Sequence, residues 1–497
     1  MRLARTTSVP ALLFLALTLT SCTTAGPAVP GSSGVTLPAA SCKSGGCSGT
    51  IHGANFQIVL PDQWNGTLLI YNHGYRAAQP VPPAFRPVST LAEPAPGWAS
   101  ESASATAATA TATATASATA GSSDSSTASV GRALLKQGYA LAGSSYSANG
   151  WAVAEGVRAD EDLYEYFRTQ VGEPTRVYVW GESLGGLVTA LVAEKDPDWV
   201  TGAASLCGVV AGTNPNFDLE LDVAYATREL LWPAFKVTGY DSYQEAIDQF
   251  QGAATRIQAA LKTAVGRATL LTIASLADAP TKTKNFDATS KLSQVRAAAE
   301  SVVTALGYGT YGRYDLERRT GGNASTNAGI DYSSRISTAD RAAIEAMAPG
   351  TLDLLLRRLS AGTRIVADTK ARASAADIAT PTGRLAHPMV LLHTLYDPLV
   401  IVQNESHYLA RAAADGQHNV DLLLTAPPSH YAPKPGAPYG AGHCNFTDAS
   451  KVGVIGVLDQ WVSTGKRPTE SDIARLLGSG SGWAPTAVAP AWPGVPA

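Results

Sequence analysis

Short apolar runs alternate with longer segments of helical periodicity along two stretches of this chain. In the first, residues 56–60 and 67–71 read as strands joined by a turn at Gln63-Trp64-Asn65-Gly66. Residues 139–143, 176–180 and 202–207 read as further strands, separated by helices over 130–137, 155–171 and 184–195. Within 155–171, Val157, Leu163, Tyr166 and Phe167 recur at the spacing of one helical face. The alternation returns late, with strands at 389–393 and 420–425 and helices at 402–414 and 449–462. Repeated strand–helix order implies parallel pairing through right-handed crossovers, with helices on both faces. The pattern predicts an α/β fold with a doubly wound, mostly parallel sheet.

Between the two stretches, residues 213–382 carry helix signals and almost no strand signal. Helices are expected over 218–235, 241–264, 289–306 and 338–359, and Ser242 with Glu245 fits a capping box. The sheet core therefore falls into two parts, 51–212 and 383–477, around a large helical insertion at 213–382. A second insertion, 99–129, is almost purely Ala, Thr and Ser; it buries too little to offset its ordering entropy and is expected to be disordered. The Gly-, Pro- and Ala-rich end, 478–497, reads as a flexible tail.

Charge narrows the classes further. Lys and Arg total 37 against 40 Asp and Glu, a net charge of −3, so no basic field exists to hold nucleic acid. Apolar residues make up 45% and charged residues 15%. Such a chain can fill a core, which excludes a disordered or collagen-like chain, and it lacks the apolar spans of a polytopic membrane protein.

The first 21 residues read as an export signal. Arg2 and Arg5 precede an apolar run, 9–19, that is too short to span a bilayer. The ending Leu19-Thr20-Ser21-Cys22 resembles the bacterial lipobox, which implies lipidation at Cys22, a membrane anchor on the outer face of the cell, and a tether with a Cys loop over 22–50. Simple secretion is the alternative. Export puts Cys42, Cys47, Cys207 and Cys444 in an oxidising compartment, where four cysteines allow three pairings. The loop between Cys42 and Cys47 is short enough to close on itself, which would leave Cys207 with Cys444.

The strongest chemical signal is Val177-Tyr-Val-Trp-Gly181-Glu182-Ser183-Leu184-Gly185-Gly186. A β-rich run enters Gly-x-Ser-x-Gly and a helix leaves it, the context that motif requires. A tight strand-to-helix turn leaves no room for side chains two residues either side of the serine, and the glycines relieve that crowding. Ser183 would stand proud of the sheet, with the amide of Leu184 at a helix N-terminus facing a developing oxyanion. A second strand ends in His73-Gly74-Tyr75, where the Tyr75 amide could be a further oxyanion donor.

A nucleophilic serine needs a base, and the base an orienting acid. Asp397 follows the strand at 389–393; its rivals are Asp421, inside an apolar strand, and Asp415, late in a helix. Among the histidines, His443 lies in Gly440-Ala-Gly442-His443-Cys444, a loop free enough to swing an imidazole over the serine, whereas His430 sits among prolines.

With these residues in view, the chain resembles an α/β-hydrolase over 56–462, with the helical insertion as a cap. The resemblance implies a serine hydrolase with Ser183 as nucleophile, His443 as base, Asp397 as its orienter and the amides of Tyr75 and Leu184 as the oxyanion site. The expected reaction is cleavage of a small carboxylic ester through an acyl-enzyme, with Tyr75, Tyr146 and Trp151 lining the substrate pocket. Gly-His-Cys is also similar to the histidine end of tannase and feruloyl esterase enzymes, where a disulfide ties the serine and histidine loops. Here Glu182 precedes the serine, so such a tie would run from Cys444 to Cys207. Two other readings stay open. One is an exopeptidase holding a peptide's α-amine with a cap carboxylate from among Glu220, Asp222 and Glu229. The other is a surface binding lipoprotein that has lost its chemistry. Gly307-Tyr-Gly309-Thr-Tyr-Gly312 follows a helical run, not a strand, and so is not read as a dinucleotide site; with no HExxH or Cys-x-x-Cys motif either, no metal or cofactor is expected.

Overall fold

The computed structural model describes Cys42 and residues 45–78, 125–195, 197–282, 291–429 and 439–494. The export signal, Cys22, residues 99–124 of the Ala/Thr/Ser insertion and His430 lie outside the described residues.

The chain opens with β1 (Gly46–Ile51), β2 (Ala54–Val59) and β3 (Thr67–Asn72). Next come α1 (Ser125–Lys136), β4 (Ala140–Ser144), α2 (Val153–Gln170), β5 (Arg176–Glu182), α3 (Leu184–Glu194) and β6 (Gly202–Leu206). The strands form one eight-stranded sheet in the order β1-β2-β4-β3-β5-β6, continued by β7 (Met389–Thr394) and β8 (Val420–Thr425). Pairing is antiparallel from β1 through β2 to β4 and parallel everywhere else. Strands β3, β4, β6 and β7 are buried along their whole length, as a sheet covered on both faces requires.

Between β6 and β7 runs the cap. Its helices are α4 (Thr213–Leu230), α5 (Tyr243–Ala260), α6 (Ala264–Leu276), α7 (Lys291–Gly307), α8 (Arg313–Thr320), α9 (Thr338–Met347), α10 (Thr351–Ala361) and α11 (Thr369–Ile378). A π-helical turn, Tyr308–Gly312, joins α7 to α8. The cap has a core of its own, with Tyr225, Ile257, Leu270, Val302 and Leu355 among its buried members. Three helices complete the sheet domain: α12 (Gln403–Ala414), α13 (Asp448–Thr464) and α14 (Glu470–Leu477). Helices α1, α13 and α14 cover one face of the sheet, where Leu134, Ile455, Leu458 and Ile473 join Trp180 and Leu392 in a second core.

Several expectations are corrected. Residues 46–50, read as tether, belong to the sheet as β1; a Gly-Cys-Ser-Gly segment has no apolar face because this is a half-exposed edge strand. Helix α1 begins at Ser125, inside the segment read as disordered, so its last five residues are ordered backbone. The helix expected over 338–359 is two, broken at Pro349-Gly350, where Gly350 takes φ 73°. The one expected over 241–264 ends at Ala260, and α6 starts afresh after Thr263, whose side chain caps it. The tail is not loose over its described part: the Ala484 amide donates to the Leu424 carbonyl at 2.8 Å, and Trp483 bridges to Thr425 beside β8.

Candidate active site

Strand β5 runs into α3 through Ser183, which holds φ 60° and ψ −122°. A non-glycine residue in that region is strained and persists only where its surroundings fix it. They do so here through close backbone approach. A Cβ on Gly185 would stand 2.0 Å from the Asn72 carbonyl oxygen, and one on Gly181 would stand 2.5 Å from the same atom. The elbow is thus pressed against the end of β3, and the Ser183 amide donates to the Leu206 carbonyl of β6 at 2.9 Å.

Asp397 and His443 arrive from loops after β7 and β8. His443 Nε2 lies 2.9 Å from Ser183 Oγ, and its Nδ1 lies 2.8 Å from Asp397 Oδ2. With Nδ1–H donating to the carboxylate, Nε2 is left to accept the serine proton. Asp397 is fully enclosed. Its Oδ1 accepts from the amides of Leu399 and Val400 at 2.8 and 2.9 Å. Burial alone would raise its pKa, but His443, His393 and these amides outweigh burial and hold it below the ordinary carboxylate range. The rivals are engaged elsewhere: Asp421 pairs with Arg467 and Asp415 with Arg384.

Disulfides join Cys42 to Cys47 and Cys207 to Cys444. The second tethers the residue after His443 to the end of β6. Register explains its position: Glu182 pairs with Leu206 on the neighbouring strand, so Cys207 is the cross-strand neighbour of Ser183. Glu182 itself forms an ion pair with Lys451 of α13 at 2.7 Å, binding the elbow to the helix behind it. Among the described residues, Cys207, His443 and Cys444 form the one cluster with metal-ligand spacing, and its two sulfurs are bonded to each other.

A pocket lies above the serine, lined by Ser183, Leu184, Tyr75, Trp151 and, from the cap, Phe217, Glu220 and Tyr308. Leu184 is the first residue of α3, so its amide stands at the positive end of a helix. Gly74 passes so close that its Cβ would lie 3.4 Å from Ser183 Cβ, which sets the following Tyr75 beside the serine. Trp151 is pinned from the cap, its amide donating to Asp315 Oδ2 at 2.7 Å and its indole to Thr213 Oγ1 at 3.0 Å.

Tyr146 is not a pocket residue. The left-handed turn after β4 (φ 56° at Tyr146) folds it beneath the site, where it is fully buried, stacks on His73 at 3.9 Å and donates to Asn72 Oδ1 at 3.0 Å. Its role there is support. Asn72 Nδ2 donates in turn to Asp160 Oδ2 at 2.8 Å, and burial lifts that carboxyl to about 8.

Three features escape a sequence reading. Asn72 braces the elbow but looks like an ordinary strand end. His393 lies beneath Asp397, its Nδ1 2.8 Å from Glu405 Oε1 and its Nε2 2.9 Å from the Val400 carbonyl, both side chains fully buried. Burial would lower the His393 pKa, yet Glu405 and Asp397 outweigh it and leave the ring raised. Tyr308 lines the pocket from inside the glycine motif set aside above. Those glycines serve packing: a Cβ on Gly309 would sit 3.2 Å from the Glu220 carbonyl, so the π-helical turn lies flush on α4. Glu220 itself was one of three equivalent carboxylates in the sequence and is the one at the pocket.

No protein-family model and no curated protein matches this chain. Solved structures similar to it include an esterase from Aspergillus oryzae, 13% identical, covering 85% of this chain and 80% of that one at a TM-score of 0.38. Candida antarctica lipase A is 13% identical over 86% and 80% of the two chains, at 0.37. A proline iminopeptidase from Mycobacterium smegmatis is 12% identical over 85% and 100%, at 0.33. The fold is read from the chain's own topology. A mostly parallel eight-stranded sheet, a serine on a strained strand-to-helix elbow, and an acid and a histidine following in that order define the α/β-hydrolase fold.

Proposed function

We propose that the protein is a serine hydrolase that cleaves carboxylic esters through an acyl-enzyme. Ser183 Oγ attacks the ester carbonyl as its proton passes to His443 Nε2. Asp397, held ionised, stabilises the imidazolium and fixes its tautomer. The amides of Leu184 and Tyr75 take the charge that develops on the carbonyl oxygen. Collapse breaks the bond to the alcohol oxygen, which leaves with the His443 proton. Water then attacks the acyl carbon as it gives a proton to His443, and collapse of that adduct breaks the bond to Ser183 Oγ, which takes the His443 proton as the acid leaves.

The observation that carries this reading is the unbroken run of contacts from Ser183 Oγ through His443 to Asp397, at 2.9 and 2.8 Å, at the floor of a pocket. Ser183→Ala is expected to abolish both hydrolysis of short-chain 4-nitrophenyl esters and labelling by a fluorophosphonate. Retention of either at the wild-type level overturns the proposal.

One observation favours exopeptidase action as a second reading, because Glu220 faces the pocket from the cap, where a peptide's α-amine would need a carboxylate. Aminoacyl-naphthylamides turned over faster than simple esters would decide for it.

A further inference from the structure

The four carboxylates of α4 differ in their surroundings, and Asp218 is paired with Arg372 at 2.6 Å. Asp222 is bound by Arg335 and by the Tyr332 hydroxyl, each at 2.6 Å, and Glu229 by Arg228 at 2.8 Å. Glu220 is nine-tenths buried at the pocket wall, and among the described residues its Oε2 has no hydrogen-bond partner. The Tyr75 hydroxyl, in the same pocket, is buried and unpartnered in the same way. Buried polar atoms are nearly always satisfied, and at a pocket wall the entering ligand can satisfy them.

The charge around Glu220 decides which ligand fits. Arg313 of α8 is fully buried; its guanidinium donates to Ser325 Oγ and to the Phe217 carbonyl, each at 2.7 Å, and no carboxylate pairs with it among the described residues. Arg313 already acts on the carboxyls of Glu220 and Glu317, so an ammonium group beside Glu220 would be a further cation in the same dry space. Burial raises the Glu220 pKa well above the carboxylate range, and the Arg313 charge opposes that only in part. A neutral carboxyl and a phenol each donate one hydrogen bond and accept others. Their chemical complement is an uncharged hydroxyl.

We propose that Glu220 and Tyr75 form the polar end of the acyl pocket and recognise a neutral hydroxyl on the acid part of the substrate, against the aromatic walls of Trp151, Phe217 and Tyr308. This rests on the ester-hydrolase reading. The acid part stays bonded to Ser183 after the alcohol departs, so a contact to it acts through both acylation and deacylation. Tyr308 lines the same pocket as Glu220 and Tyr75.

The test compares three 4-nitrophenyl esters of near-equal shape, the 3-methyl-, 3-hydroxy- and 3-aminobutanoates, on the purified full chain. The hydroxy ester is expected to exceed both others in kcat/KM by about tenfold, the size of one hydrogen bond gained in a dry site. Glu220→Leu should erase that preference. Glu220→Gln, which keeps one donor and one acceptor, should retain it within about threefold. Fluorophosphonate labelling of Ser183, followed in every variant, reads the catalytic centre separately. Labelling and hydrolysis of the methyl ester without a hydroxyl preference overturn this proposal and leave the esterase reading standing. So does a preference that survives Glu220→Leu, or faster turnover of the amino ester. Loss of wild-type labelling and of all ester hydrolysis overturns both proposals together.

Discussion

The floor and the roof of the pocket are built by opposite means. Around Ser183 the geometry is fixed by backbone: a carbonyl of β3 pressed against two glycines, a left-handed serine, and strands in register. In the cap, position is fixed by side chains, through a private apolar core and buried charges such as Asp222 with Arg335. Backbone devices tolerate almost no substitution and so leave short motifs in a sequence. Packing and buried charge can be met by many sequences, and the roof of the site leaves no signature.

The comparison is broken most severely by Gly185→Ala. The added Cβ would meet the Asn72 carbonyl at 2.0 Å, and a backbone oxygen in mid-sheet cannot step aside. We expect loss of the proposed esterase activity by more than about a thousandfold, or loss of soluble protein, since the elbow carries the proposed nucleophile and one proposed oxyanion donor. Near-normal turnover would show that the floor is held less rigidly than described.

Asp222→Ala is the matching insult to the roof. It strands Arg335, buried at its side, with an expected cost of about 3–5 kcal/mol. Melting should fall accordingly, read by calorimetry, while fluorophosphonate still labels Ser183. Labelling lost in step with cap stability would mean that floor and roof are one cooperative unit.

A pH dependence sharpens the contrast between buried acids. Asp160, bonded to Asn72 at the end of β3, holds its proton up to about pH 8 when folded and to about 3.8 when free. Between those values the folded state binds more protons than the unfolded one, so stability falls as pH rises, by at most about 1.4 kcal/mol per unit. Asp160→Asn keeps an acceptor for Asn72 and removes the titration. Its melting temperature should therefore decline less than that of the wild type between pH 5 and pH 8, and parallel declines would refute the assignment.

Legibility follows the same division. The order of strands and helices was readable because buried parallel strands are continuous apolar runs, and Gly181, Ser183 and Gly185 were readable because sterics dictate their spacing. The edge strand β1 was not, since half-exposed strands need no apolar residues. Nor was the place of Tyr146, read as lining the substrate pocket, because its turn after β4 carries it beneath the site. The His393–Glu405 pair under Asp397 depends on a helix returning across the sheet, which no local pattern encodes. Asp397 and His443 lie 46 residues apart and 214 and 260 residues beyond the serine, and only the order of the strands made them a set.

The bond between Cys207 and Cys444 encloses every helix of the cap within one covalent ring. A protease that cuts the cap once would therefore leave two pieces that stay attached, one bearing Ser183 and the other Asp397 and His443. On a gel without reductant such a nicked molecule would migrate as a single species, and with reductant as two. The three side chains at the pocket floor would thus stay in one molecule after the chain is divided, for as long as one pair of sulfurs remains oxidised.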